Sequence, residues 1–302
     1  MSPHAKNLIR LAALLACNTL CLFPSYTEAR TEGTTKSGFV TTADGVRIHY
    51  LEADPQAPAM KSPALLFVPG WTMPAEIWEK QIAYFSKSRR VVAMDPRSQG
   101  LSSQTTEGHY PEARARDIKA VVDKLKLAPV VLVGWSMGVA ELVAYVDQFG
   151  CDTLVGLLFV DDVPGWDLDP GTIQAFLKFF GQLARGRRDT SASFIRWFYK
   201  KPQSEAYLER VTRASLQTPT NTALALLLGK LTADLRPALP KIDRPALIVA
   251  SGNTRQQLFE DFQKRLPGSR LEIFEDAGHA LFVDDAERFN RTVEEFIAKL
   301  GP

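Results

Sequence analysis

The residues best suited to chemistry in this chain are one serine and one histidine, far apart in sequence. Ser136 is the centre of Gly134-Trp135-Ser136-Met137-Gly138, a G-x-S-x-G pattern. A serine hydroxyl becomes an effective nucleophile only when a neighbouring base takes its proton. The chain holds 4 histidines, few enough to sort by elimination. His4 belongs to an N-terminal leader, described below. His49 sits in an early alternating strand, as a packed or surface residue. His109 lies in the polar loop Thr105-Thr106-Glu107-Gly108-His109, where a solvated imidazole is the default. His279, in Phe274-Glu275-Asp276-Ala277-Gly278-His279, follows the last strand and precedes the closing helix, so it is the candidate base.

A bare G-x-S-x-G arises by chance in roughly one chain in ten of this length, so its surroundings decide its meaning. Val130 to Val133 is a short apolar run between Pro129 and Gly134, the pattern of a strand buried on both faces. After Gly138, the residues Val139, Leu142, Val143 and Val146 recur with helical spacing. A strand-to-helix turn this tight forces the serine into a strained conformation and leaves no room for a β-carbon at Gly134 or Gly138.

The same edge must be built by other strands. Gly38 to Glu52 reads as two strands meeting at Asp44-Gly45, a hairpin signal. Buried runs follow at Ala64 to Val68, Arg90 to Met94, Leu154 to Val160, Ala246 to Ala250 and Arg270 to Phe274. Helical patterns at Trp78 to Phe85, Pro111 to Leu125 and Asp285 to Lys299 separate them, as in a parallel sheet with helices on both faces. The alternation stops from Gly171 to Leu235, where only helical patterns occur. That block predicts a helical cap, about residues 165–236, over the carboxyl ends of the strands. Its aromatic residues, Trp166, Phe176, Phe179, Phe180, Phe194, Trp197, Phe198 and Tyr199, mostly hold the cap together and in part face an apolar cleft.

With 45% hydrophobic and 23% charged residues and a net charge of +2, the chain of 302 residues is an ordinary globular composition with no call for a nucleic-acid partner. The N-terminus differs. Lys6 and Arg10 precede the apolar run Leu11 to Phe23, and Thr27-Glu28-Ala29 offers small residues for cleavage after Ala29. This reads as a signal peptide over 1–29, too short for a stable membrane span, with the mature domain at 30–302 in the periplasm or outside the cell. A second reading makes Cys17 a lipoprotein anchor. Removal of Cys17 and Cys21 leaves Cys151 alone, so no intramolecular disulfide is expected. No metal-ligand spacing, phosphate loop or dinucleotide fingerprint occurs, so no cofactor is expected.

Taken together, these residues resemble the α/β-hydrolase superfamily, and within it the small esterases and cofactor-free haloperoxidases. The likeness rests on Pro69-Gly70-Trp71, on Asp95-Pro96-Arg97 through Ser102, on Ser136-Met137-Gly138 followed by Glu141 and Tyr145, and on Gly278-His279. It implies a mostly parallel eight-stranded sheet with flanking helices, the cap inserted after the sixth strand, and a Ser–His–acid triad. The acid departs from the family pattern. Relatives usually carry it in the turn after the penultimate strand, which here reads Ser251-Gly252-Asn253-Thr254-Arg255. Some members place it after the strand that follows the nucleophile helix, and Asp161 matches that position. Asp162, or Asn253 as a neutral orienter, are the alternatives. The backbone N–H groups of Met137 and Trp71 match the oxyanion donors. The expected function is an exported serine hydrolase that cleaves a small to medium carboxylic ester through an acyl-enzyme. Perhydrolase or haloperoxidase chemistry on the same triad, and a ligand-binding pseudo-hydrolase, are the other readings; the oligomeric state stays open.

Overall fold

The protein, seen in a computed structural model, is described over residues 35–55, 62–252 and 256–300. The leader at 1–29, its Ala29 cleavage site, the alternative anchor Cys17, and Asn253 lie outside the described residues.

One sheet of eight strands organises the domain. The strands are β1 (Lys36–Thr41), β2 (Arg47–Ala53), β3 (Ala64–Val68), β4 (Val91–Met94), β5 (Val130–Trp135), β6 (Leu154–Val160), β7 (Ala246–Ser251) and β8 (Arg270–Phe274). They lie in the order β1-β2-β4-β3-β5-β6-β7-β8. β1 runs antiparallel to β2 and β2 antiparallel to β4, while every later pairing is parallel. Parallel neighbours need crossovers, and helices supply them: α1 (Glu79–Phe85), α2 (Pro111–Lys124), α3 (Met137–Phe149) and α8 (Gln256–Arg265), while α9 (Leu281–Asp284) and α10 (Ala286–Ile297) follow the last strand.

The apolar runs are explained by burial on both faces. Along β5, Val130 and Leu132 pack into one core with Val139 and Leu142 of α3, while Val131, Val133 and Trp135 pack into the other with Phe289 and Val293 of α10. β6 and β7 divide in the same way, Leu157, Phe159 and Ile248 on one side and Leu158, Val160 and Val249 on the other. Alternation of direction therefore survives where alternation of polarity does not.

Register brings the carboxyl ends of the central strands level. Gly134 pairs with both Val68 and Phe159, and Val160 pairs with Val249. The ladder runs one step further, with Ser136 N–H donating to Val160 O at 2.9 Å and Asp161 N–H to Val249 O at 2.8 Å. Between β6 and β7 stand α4 (Pro170–Arg185), α5 (Arg187–Trp197), α6 (Glu205–Ser215) and α7 (Thr220–Thr232). α4 begins with a side-chain cap, Asp169 accepting from the N–H groups of Gly171 and Thr172, with Pro170 in the first turn. Among the described residues, no helix is long and apolar enough to cross a membrane.

Candidate active site

Ser136 stands between the last residue of β5 and the first of α3, at φ 54° and ψ −120°. Positive φ is uncommon for any residue with a side chain and persists only where the surroundings enforce it. Here the enforcement is steric. A Cβ on Gly134 would lie 2.6 Å from Gly138 O, so strand and helix can meet only through glycine. A Cβ on Gly70 would lie 2.9 Å from the Cβ of Ser136, so the loop after β3 runs directly against the serine. That loop presents the N–H of Trp71, and α3 presents the N–H of Met137. Neither is taken by an acceptor among the described residues. The Trp71 ring is fixed by Nε1–H donating to Ala223 O of α7 at 2.8 Å.

His279 follows β8 and is held from several sides. Its carbonyl accepts from Trp135 Nε1 at 2.9 Å, and the N–H of Gly278 donates to Asp284 Oδ2 at 2.8 Å. The rings of Trp135, Trp197 and Phe198 surround the imidazole with centroids 5.2, 5.3 and 5.5 Å away. Nδ1 of His279 donates to Asp161 Oδ2 at 2.7 Å, which assigns the proton to Nδ1 and leaves Nε2 as the basic nitrogen.

Asp161 itself is in the left-handed region, at φ 53°. β6 has ended, so strand alternation does not decide where its side chain or that of Asp162 points. The Asp161 carboxylate accepts from Ser251 N–H at 2.6 Å and from Ser251 Oγ at 3.1 Å, besides His279. The end of β7, which lacks an acid of its own, thus holds the acid of β6. Asp162 is engaged elsewhere: it accepts from Val163 N–H at 2.7 Å and Trp166 Nε1 at 3.0 Å, and its other oxygen lies 3.3 Å from Lys230 Nζ. Both partners of this ion pair are nearly buried. Lys230 also donates to Val163 O at 2.8 Å.

These groups border one cavity of about 370 Å³. Ser136, Asp161, Asp162 and His279 share it with Trp71 and Met137, and the remaining wall is mainly Trp166, Phe176, Phe179, Phe194, Trp197 and Leu227. Five aromatic side chains between β6 and β7 thus line the cavity, while Phe198 is buried against Trp135 and His279. Such a wall suits an apolar group. No cluster of three or more His, Cys, Asp or Glu side chains able to hold a metal ion occurs among the described residues.

Two histidines differ from a plain solvated or packed role. His109 is half-buried, its Nε2 3.3 Å from Ser98 Oγ and 3.2 Å from Thr105 Oγ1; burial and the nearby Arg114 and Arg97 hold its pKa below the ordinary value. His49 is buried between Ser37 Oγ, 2.8 Å from Nε2, and Asp95 Oδ2, 2.7 Å from Nδ1. A further polar cluster lies under the serine. Glu141 of α3 accepts from Arg114 Nε at 2.6 Å, and complete burial pushes its carboxyl up to about 7 against the pull of that arginine. Arg114 Nη2 in turn donates to Gln99 Oε1 at 3.1 Å. None of Ser251, Lys230, Ser37 and Gln99 stands out in the sequence. The Asp95-to-Ser102 segment was the one visible signal, and it marks the loop without saying what its glutamine bonds.

Comparison with known proteins agrees with this fold. Residues 65–292 match the alpha/beta hydrolase family. The bifunctional esterase/perhydrolase of Acinetobacter calcoaceticus is 27% identical over 277 residues, covering 86% of this chain and 99% of that protein. A non-heme chloroperoxidase of Kitasatospora aureofaciens is 27% identical over 284 residues, covering 86% of this chain and 98% of its own. Among solved structures, an esterase from Exiguobacterium antarcticum superposes with a TM-score of 0.81 at 23% identity, covering 87% of this chain and all 100% of that one. The chain belongs to the alpha/beta hydrolase family, and within it resembles esterases and non-heme haloperoxidases.

Proposed function

We propose that the protein is a serine hydrolase of small to medium carboxylic esters with an apolar acyl or alcohol part. One observation carries the reading: the 2.7 Å bond between His279 Nδ1 and Asp161 Oδ2, at the wall of the apolar cavity that Ser136 lines. Oγ of Ser136 attacks the ester carbonyl carbon while its proton passes to Nε2 of His279. Asp161 keeps the imidazole in the right tautomer and stabilises the imidazolium. The N–H groups of Trp71 and Met137 donate to the oxyanion, each such donor contributing about a hundred- to a thousand-fold. The imidazolium then protonates the leaving alcohol, giving an acyl-Ser136. Water, deprotonated by His279, attacks the acyl carbon, and the carboxylic acid leaves as Oγ recovers its proton.

The naming of one relative as a bifunctional esterase/perhydrolase favours a second reaction on the same intermediate. Hydrogen peroxide in place of water gives a peracid and free Ser136, with no oxidant beyond the peroxide itself. We propose further that the protein is exported, on the strength of its leader; N-terminal sequencing of the mature protein then starts at Arg30.

Labelling with a fluorophosphonate, with the adduct mapped by mass spectrometry, tests the assignment, and a series of p-nitrophenyl esters of increasing acyl length tests the substrate class. An adduct on Ser136 and turnover that varies with chain length support it. Ligand binding without turnover of any ester would replace it by a pseudo-hydrolase.

A further inference from the structure

Gln99, in the loop after β4, is completely buried, and its amide is fully used. Nε2 donates to Gly70 O at 3.0 Å and to Met73 O at 2.9 Å. Oε1 accepts from Thr72 N–H at 3.0 Å and from Arg114 Nη2 at 3.1 Å. Three of these four bonds go to backbone on either side of Trp71. The turn they grip is closed by Met73 N–H donating to Gly70 O at 3.2 Å, and it passes through Thr72 at φ 57°. A non-glycine residue in that region stays there only if the surroundings hold it.

The fourth bond leads to the other side of the serine. Arg114, from α2, bonds both Gln99 and Glu141, and Glu141 lies in α3, the helix whose first residue is Met137. Arg114 and Glu141 are themselves buried, so the connection is a dry chain of charge-assisted bonds. It joins the loop bearing one amide to the helix bearing the other.

With Trp71 and Met137 taken as the oxyanion donors proposed above, we infer that Gln99 is a positioning residue for that hole. It sets where the Trp71 N–H points relative to the Met137 N–H. Donors must lie about 2.7–3.1 Å from the oxygen as it is placed in the tetrahedral intermediate. A displacement near 1 Å costs on the order of a hundred-fold. A leucine or methionine would fill the same volume but leave Met73 O and Thr72 N–H without the partners Gln99 gives them, and only the Met73 N–H to Gly70 O bond would then hold the turn.

The test compares Gln99→Met, which removes all four bonds, with Gln99→Glu, which keeps the acceptor for Thr72 and Arg114 but loses both donors. Kinetics are referred to active sites counted by a p-nitrophenyl ester burst, and folding is followed by thermal unfolding. The expected result is kcat per active site lower by about a hundred-fold in Gln99→Met and about tenfold or more in Gln99→Glu, with KM changed by less than about threefold. Affinity for an alkyl boronic acid, whose tetrahedral adduct puts an oxygen in the hole, should fall in parallel with kcat/KM. A merely structural glutamine would instead lower the number of active sites and leave kcat per site unchanged. Unchanged kcat per site in a folded variant, or boronate affinity that does not follow kcat/KM, overturns the inference; should Gln99→Met not fold, Gln99→Glu decides it. Ser136→Ala run alongside separates the two levels, because an active Ser136→Ala enzyme removes the serine mechanism itself, whatever Gln99 does.

Discussion

The domain holds two arrangements of serine, histidine and aspartate. In one, Asp161 and His279 share a 2.7 Å bond at the cavity that Ser136 lines. In the other, Asp95 bonds His49 at 2.7 Å and His49 meets Ser37 at 2.8 Å. Judged by hydrogen bonds alone, the second is as well formed as any triad. The surroundings separate them. Ser37, His49 and Asp95 come from β1, β2 and the end of β4, three neighbours in the sheet, so their bonds run across strands. Asp95 also accepts from Ala75 N–H at 2.5 Å and Leu101 N–H at 2.8 Å, pinning two loops. Ser37 is an exposed residue on an edge strand. Ser136, by contrast, is strained at the amino end of a helix, pressed against Gly70 and beside an apolar cavity and two N–H groups that no acceptor among the described residues takes. A base and an acid activate a hydroxyl; stabilised oxyanion and excluded water make the activation worth having. These surroundings favour the first set for the catalysis proposed above, and leave the second to fasten the sheet edge.

The largest expected contrast is between the serines. Ser136→Ala should lower turnover of p-nitrophenyl esters by about a million-fold with the melting temperature little changed. Activity of more than a thousandth of the parent, lost on adding Ser37→Ala, would break the distinction by showing that the edge set also turns over substrate.

The aspartates sharpen it next. Asp161→Asn should cost about ten-thousand-fold in kcat through the wrong imidazole tautomer. Asp95→Asn should leave kcat per folded molecule within about threefold, yet lower stability by about 1–3 kcal/mol, since it weakens bonds to His49 and to two loop amides. Chemical denaturation and kinetics on the same samples distinguish them. Equal activity losses would mean that the two acids are not doing different jobs.

Only the first set was readable beforehand, and the reason is physical. β3, β5, β6 and β7 are buried on both faces and so appear as unbroken apolar runs. Ser136 carries its own mark, because Gly134 is demanded by the backbone of Gly138 a turn later and Gly138 by Val68 O at the end of β3. His279 emerges by elimination from a short inventory. Alternation, by contrast, assigns His49 a face but not a partner, and Asp95 lies 46 residues away, just past β4, which neighbours β2 in the sheet although β3 comes between them in sequence. The grip of Ser251 on Asp161 spans 90 residues, and the left-handed turn at Asp161 has no glycine to announce it. Gln99 is a single polar residue in a loop, and its four bonds exist only once β3, β4 and α2 have assembled.

The cavity wall gives a smaller and different effect. Phe176 of α4 lines the cavity and packs edge-on against Trp166 with centroids 5.8 Å apart. Phe176→Ala should shift the preferred acyl length upward, changing relative kcat/KM between short and long esters by about tenfold, the scale of one or two methylenes of apolar contact. A uniform loss across the series would make that side chain a prop for the helices rather than a part of the binding surface.

The smallest expected effect is at Ser37. Its hydroxyl is on an exposed strand, so water can replace it at Nε2 of His49 when it is removed, and a hydrogen bond so exposed contributes at most about 0.5–1 kcal/mol. His49 keeps its bond to Asp95, and Asp95 keeps its two loop amides, so the fastening survives the loss of its outer member. Ser37→Ala should accordingly leave ester turnover within about twofold, lower stability by no more than that hydrogen bond, and leave fluorophosphonate labelling of Ser136 intact. The sensitive measurement is intact-mass analysis of the Ser136→Ala variant after prolonged fluorophosphonate exposure. An adduct on Ser37 there would mean that His49 and Asp95 do activate it, and that an oxyanion hole matters less to reactivity than the contrast between the two sites implies.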